Sequence, residues 1–163
     1  NTRVKECKQA LKTINRVNDK KYENLSQFSL EEINNAKNDL SINQFKRAFF
    51  VYNENKRAIE SAELIEKNNL LEFGKLMYQS HDGLKNNYEV SCKELEFLVN
   101  QTKKINGIIG ARMMGGGFGG CTVNLIKSNE IPDVVSIMVS PGLRIPFFSA
   151  LSTICKAILS LEE

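Results

Sequence analysis

A chain of 163 residues is long enough for one domain with a real core, or for a large piece of something longer. Its 42 % apolar and 25 % charged residues are ordinary for a soluble globular protein. The net charge is only +3, and Lys and Arg are scattered rather than striped with aromatics, which sets nucleic acid aside as a partner.

Cys7, Cys92, Cys121 and Cys155 lie far apart with no Cys-x-x-Cys, and His81 is the only histidine. Zinc sites and compact disulfide frameworks need tighter patterns, so reduced thiols in a cytoplasmic protein are expected, with no metal site in this chain. Asn24-Leu25-Ser26 and Asn100-Gln101-Thr102 are formal glycosylation sequons. No secretory signal precedes them, and both are taken as chance matches. The first residue is Asn rather than Met and a helical pattern starts almost at once, as expected of a fragment.

Val4, Cys7, Leu11, Ile14 and Val17 recur at three- and four-residue steps and predict one apolar helix face, broken by Asn18-Asp19-Lys20-Lys21. Ser29-Leu30-Glu31-Glu32 is a capping box that should open a short helix through about Leu40, with Phe28 stapled onto Ile33. The longest periodic segment runs from Ile42 to about Asn68, with Ile42, Phe45, Phe49, Tyr52, Ile59 and Ala62 on one face. After Asn68-Asn69, the residues Leu70, Phe73, Met77 and His81 predict a further helix ending near Gly83. A histidine can act as a general base only with a partner in hydrogen-bond reach, so His81 is expected instead to bond backbone or water at a helix end. Ser91-Cys92-Lys93-Glu94 is a second capping box, and Leu95, Leu98, Val99 and Thr102 give its helix an inward face. Lys103 and Lys104 suit the negative end of that helix, and Asn106-Gly107 turns the chain.

The densest signal follows. Five of the ten glycines fall between positions 115 and 120. An apolar run leads in, and the alternating run Cys121-Thr122-Val123-Asn124-Leu125-Ile126 leads out, which predicts strand, loop, strand. Consecutive free amides in such a loop form a concave site for an anion, phosphate being the usual guest. A flexible hairpin whose glycines only make a bulge fits the spacing equally well. Gly115-x-Gly117-x-x-Gly120 matches the dinucleotide fingerprint literally, but that motif needs a helix after it, and here a strand-like run follows. No Gly-Lys-Ser/Thr of the Walker type is present. Helices that precede two strands point to an α+β packing of helices on a small antiparallel sheet.

Beyond Asn129, Pro132-Asp133 could open another helix, Pro141-Gly142 is a turn, and Pro146 begins an apolar stretch to Leu161. That stretch carries Lys156 and is short for a membrane span, so a buried or partner-facing helix is expected and no membrane role.

Several ordered motifs together resemble the galactokinase branch of the GHMP small-molecule kinase family. Gly110-Ala111-Arg112-Met113-Met114-Gly115-Gly116-Gly117-Phe118-Gly119-Gly120-Cys121-Thr122-Val123 is similar to that family's third motif. Asn1-Thr2-Arg3 with Glu6-Cys7, Lys46-Arg47-Ala48 with Glu54-Asn55-Lys56-Arg57, Phe73 to Leu84, and Tyr88 to Leu95 follow in family order. The likeness covers roughly residues 1–126. It implies a ferredoxin-like GHMP kinase C-terminal domain over residues 1–130, incomplete at its N-terminal side, and an atypical helical tail over 131–163.

The resemblance further implies an intact enzyme that transfers the ATP γ-phosphate to the C1 hydroxyl of galactose with Mg2+. In it, Gly115, Gly116, Gly117, Phe118, Gly119 and Gly120 would line the interdomain cleft beside sugar and phosphates. The family's sugar-binding first motif, its serine-rich phosphate loop and its catalytic Asp and Arg have no counterpart in this chain. The chain alone is therefore expected to be inactive, with no catalytic residue of its own and with self-association where the missing N-terminal kinase domain would sit. Met114 stands where the family usually has Thr, which removes a hydroxyl contact and leaves the amide contacts unaffected. Pro141 to Glu163 does not resemble the family's closing strand, as a truncated or frame-shifted gene or a lineage variation would explain. Another GHMP sugar kinase, or a non-catalytic galactose/ATP-sensing or interaction module on the same fold, are the alternative functions.

Overall fold

A computed structural model of the chain describes residues 2–134. The tail expected to be helical lies outside them apart from residues 131–134, which are helical, and so do Asn1, Cys155 and the Pro141-Gly142 turn.

Five α-helices precede a hairpin: α1 (Thr2–Asn18), α2 (Leu30–Asn35), α3 (Ile42–Glu66), α4 (Leu70–Asn86) and α5 (Lys93–Thr102), then β1 (Ile108–Met114) and β2 (Cys121–Ile126). The two strands pair antiparallel and are the whole of the sheet among the described residues. This is the expected α+β arrangement of helices on a small antiparallel sheet.

Local chemistry sets most boundaries. Ser29 Oγ accepts from the Glu32 amide at 3.2 Å while the Glu32 carboxylate accepts from the Ser29 amide at 2.8 Å, which closes the capping box that starts α2. The helix is shorter than expected, because a 3-10 turn at Lys37–Asp39 carries the chain to Leu40. Ser41 and Gln44 form another such box at the start of α3, from a Ser-x-x-Gln pattern. Asn69 caps α4 through the Glu72 amide. The second expected box, at Ser91, does not form: α5 starts one residue later behind Cys92, and the Ser91 hydroxyl is buried without a hydrogen-bond partner among the described residues. Helix α4 runs past Gly83 to Asn86.

Two helical faces also differ from their simplest periodic reading. On α1, Ala10 and Ile14 are buried, whereas Val4 and Val17 are exposed. On α3, Ile42 is 78 % and Ile59 66 % exposed, and the buried side chains are Arg47, Ala48 and Phe50. Helix α3 packs against α1 and α2 near its start and against α4 farther along, so no single stripe serves all its neighbours.

The core has distinct parts. Ala10 and Ile14 of α1 join Leu25, Phe28, Ile33, Ala36, Leu40 and Ala48 in a helical cluster, where Phe28 and Ile33 both lie as the staple requires. Val90, Leu95 and Met113 pack under the hairpin, and Ile108, Ile126 and Val134 close its base. Helix α4 lies against β1, and α5 touches both strands. The register slips by one residue at Ile109, a bulge between the Ile108 and Gly110 pairings. In β2 the polar members of the alternation, Thr122 and Asn124, are buried, while Cys121 and Val123 stay half-exposed.

Gly74 of α4 sits directly over the bulge. A Cβ on Gly74 would lie 2.0 Å from the Ile109 carbonyl oxygen, and one on Gly110 would lie 2.5 Å from Gly74 Cα. Two backbones therefore meet with no side chain between them, and neither can yield without moving an entire element. Gly74→Ala is expected to lower stability by about 3 kcal/mol, the upper end of ordinary overpacking costs. Urea unfolding should show an earlier midpoint at an unchanged slope, and an unchanged midpoint would refute the packing.

Candidate functional site

The loop 115–120 joins the two strands, and its geometry begins with a buried charge some seventy residues earlier in the chain. Arg47 is fully buried in α3. An arginine in that position must find partners for its donors. Its Nε donates to Glu6 of α1 at 2.7 Å, Nη1 to the Asn87 carbonyl, and Nη2 to Glu89 at 2.9 Å. Burial works against the Arg47 charge, but the bonds to Glu6 and Glu89 outweigh it and its pKa is raised. Lys46 reaches Glu89 at 3.1 Å, and Arg3 Nη2 donates to the Glu89 carbonyl at 2.8 Å. The bond from Arg47, then that from Lys46, hold the Glu89 carboxyl below the usual carboxylate range.

Glu89 itself is left-handed, with φ +56°. The next residue, Val90, donates to the Leu84 carbonyl at 3.0 Å and accepts from the Phe118 amide at 2.7 Å. The segment between α4 and α5 thus supports the loop directly. At Gly117 a Cβ would come within 2.4 Å of the Val90 oxygen, so glycine is required there by contact as well as by its φ of +89°.

In the loop Gly115, Gly117, Gly119 and Gly120 all have positive φ, as does Phe118 at +58°. Gly115, Gly116 and Gly119 face open space: a Cβ on any of them would meet nothing within 4 Å. Among the described residues their amides have no hydrogen-bond acceptor. The six expected site residues therefore lie together, with Gly117 and the Phe118 amide turned to Val90, the Phe118 side chain exposed, and the other side open. A loop of this kind can present backbone N–H groups to an anion.

The strand feeding the loop is held by His81. It is 3 % exposed, and its Nδ1 accepts from the Met113 amide at 3.3 Å. Accepting there places the ring proton on Nε2. As expected His81 bonds backbone, although it lies inside α4 rather than at its end. A second ionic cluster ties α3, α4 and β1: Glu54 receives Arg57 at 2.8 and 3.0 Å, the Ser80 hydroxyl, and Arg112 at 3.3 Å. A groove of about 350 Å³ runs between α3 and α4 past Phe50, Asn53, Arg57 and Asp82, and no residue of 115–120 lines it. Among the described residues, Cys7, Cys92 and Cys121 form no disulfide with one another. Among the described residues no group of three or more His, Cys, Asp or Glu could hold a metal ion, and no helix is long and apolar enough to cross a membrane.

The supporting network was missed from sequence, although Glu6, Arg47 and Glu89 fell within recognised motifs. Arg47 lies off the expected face of Ile42, Phe45, Phe49 and Tyr52, so the periodicity carried no signal for its burial.

Residues 61–141 match the family model described as GHMP kinases C terminal. A galactokinase from Clostridium tetani is 42 % identical over 132 residues, covering 80 % of this chain and 33 % of the relative. The human galactokinase is 36 % identical over 130 residues, 80 % of this chain and 32 % of its own. The crystal structure of Lactococcus lactis galactokinase complexed with galactose superposes with a TM-score of 0.73 at 34 % identity, over 81 % of this chain and 34 % of that one. The chain thus spans about a third of the length of these relatives.

The His81 bond carries a pH dependence. Burial pushes His81 below its ordinary value of 6.5, so on acidification the unfolded chain takes up a proton before the folded one does. Stability is then fully present above about pH 6.5 and falls as the pH drops from there through the folded pKa. Glu89, held low, adds a second loss that begins below the usual carboxylate value of 4.5. Urea midpoints should decline between about pH 7 and 5, and His81→Gln should flatten that decline. A flat profile in the unaltered chain would refute the assignment.

Proposed function

The chain carries a GHMP kinase C-terminal domain, and from that premise we propose that it supplies the Gly115–Gly120 loop to the cleft of a galactokinase. There the ATP γ-phosphate would pass to the C1 hydroxyl of galactose. The observation that carries this reading is the loop: Gly115, Gly116 and Gly119 face open space with amides that lack acceptors among the described residues.

Phosphoryl transfer depends on positioning and on stabilising the charge of the transferring group. Backbone amides fixed before the reaction supply that stabilisation without having to reorganise. A side chain at position 116 or 119 would occupy the space a phosphate needs, so glycine serves approach as well as curvature. We assign Gly115, Gly116, Gly117, Phe118, Gly119 and Gly120 to the cradle, the open amides of Gly115, Gly116 and Gly119 facing the anion and Gly117 and the Phe118 amide, held by Val90, shaping it from behind. Magnesium would arrive with the nucleotide and neutralise phosphate charge, since the described residues offer no acidic cluster of their own for it. The catalytic Asp and Arg, the serine-rich phosphate loop and the sugar-selecting residues would belong to the N-terminal kinase domain. This chain would contribute no catalytic residue, and the intact enzyme would work in the cytoplasm. The identity to galactokinases of quite different organisms favours galactose over other sugars.

Ile59, Leu71 and Phe118 are each at least 60 % exposed. Phe118 lies in the loop itself and would face the partner domain. Apolar surface left uncovered in this way favours self-association of the isolated chain. A clean monomer in sedimentation at high concentration would count against that.

The central test is a titration with Mg-ATP followed through amide shifts. Shifts confined to residues 115–120, with an affinity around millimolar or about 4 kcal/mol, are expected. Gly116→Val should weaken binding at least about tenfold, because its φ is not positive and its Cβ position is empty, so the fold tolerates the change while the anion is blocked. Equal binding by Gly116→Val, or shifts elsewhere only, would overturn the assignment. Turnover of galactose and ATP by the chain alone would overturn the inactivity.

A further inference from the structure

We infer that Glu89 is a positioning residue for the glycine loop: pinned by Arg3, Lys46 and Arg47, its left-handed backbone aims the Val90 carbonyl at the Phe118 amide and so sets the curvature of residues 115–120. The consequence for ligand affinity rests on the function proposed above; the mechanical part does not.

The observations form one continuous chain of contacts. A non-glycine residue is disfavoured at positive φ and persists there only where its surroundings hold it. Two such residues, Glu89 at +56° and Phe118 at +58°, stand on either side of a single hydrogen bond, Phe118 N to Val90 O at 2.7 Å. Glu89 is gripped at both ends. Its carboxylate receives Arg47 at 2.9 Å, Lys46 at 3.1 Å and Arg3 at 3.4 Å, and its carbonyl receives Arg3 at 2.8 Å. Fixing side chain and carbonyl together leaves the peptide plane leading to Val90 little freedom.

Val90 in turn is held by its own amide on the Leu84 carbonyl, and its backbone abuts Gly117. The Phe118 bond is the one hydrogen bond that the described residues make between a loop amide and the α4–α5 segment. If the ionic cluster only stapled α1 and α3 to that segment, Glu89 would have no need of a left-handed backbone, and the cluster's loss would be felt everywhere equally. Placed as it is, the carboxylate controls where the loop amides point.

The test reads the loop and the global fold separately, on the unliganded chain. Amide exchange is measured at Phe118 and at Val99, a buried residue of α5, in the unaltered chain, Glu89→Gln and Glu89→Ala. Glu89→Ala should speed exchange at Phe118 by about tenfold, as loss of charge-assisted bonds to one site would, with a smaller change at Val99. Glu89→Gln, which keeps the shape and part of the bonding, should fall between and also serves if the alanine variant folds poorly. Unchanged exchange at Phe118, or equal acceleration at Phe118 and Val99, overturns the inference.

Mg-ATP titration of Glu89→Gln then reads the consequence. Affinity reduced about threefold or more with the loop shifts still present is expected, and unchanged affinity would refute the link to binding. If the unaltered chain binds no Mg-ATP, the proposed function fails at that step, while the exchange rates still decide the role of Glu89.

Discussion

The buried charge of Arg47 is the constraint to which the other parts of the molecule answer. A guanidinium withdrawn from water must have its donors met, and here the acceptors come from α1, from the end of α4 and from the segment leading to α5. Elements distant in sequence are thereby held at one point. Such an arrangement contributes more to where the pieces sit than to total stability, because the desolvation of the ions offsets much of their attraction. Hydrophobic burial around Ile14, Ile33 and Leu95 supplies the driving force, and the ionic cluster selects one arrangement among those that burial would allow.

From that point order passes to the hairpin by two further routes. Gly74 and Gly110 let α4 approach β1 until backbone meets backbone, over a bulge that places the Ile109 carbonyl beneath the helix. Two helical turns further along, His81 accepts the Met113 amide and fixes the last inward residue of β1 before the loop. The loop is therefore supported on its strand side by α4 and on its protein side by Val90. Its remaining face is left open. A rigid support beneath an open row of amides is what preorganised charge stabilisation requires.

Much of this was legible along the chain. Ser29 and Glu32, Asn106-Gly107, and the strand-loop-strand around Gly115–Gly120 are local devices, decided by residues within a few positions of each other. The anion-loop reading was also open from sequence, but a flexible bulge fitted the spacing equally well. The open Cβ positions at Gly115, Gly116 and Gly119, against the crowded one at Gly117, separate glycines that serve approach from one that serves packing. The inward faces of α1 and α3 were harder. Periodicity names a face only when a helix has one neighbour, and α3 has several, so Ile42 and Ile59 stayed outside while Arg47 went in. In β2 it is the polar members of the alternation, Thr122 and Asn124, that are buried, a phase that the alternation by itself would not foretell.

By itself the sequence determined the order and type of the elements, the ends that caps and turns define, and the glycine cluster with its ordered companions by which the family was recognised. Those follow from short-range sterics and hydrogen bonding, which a run of a few residues already contains. Tertiary structure alone decided that Glu6, Arg47 and Glu89 meet, that Glu89 and Phe118 turn left-handed on either side of one bond, and that Gly74 lies on Gly110. Contacts between residues so far apart along the chain depend on how whole helices pack, and packing is settled by the sum of burial over the entire domain rather than by any one segment.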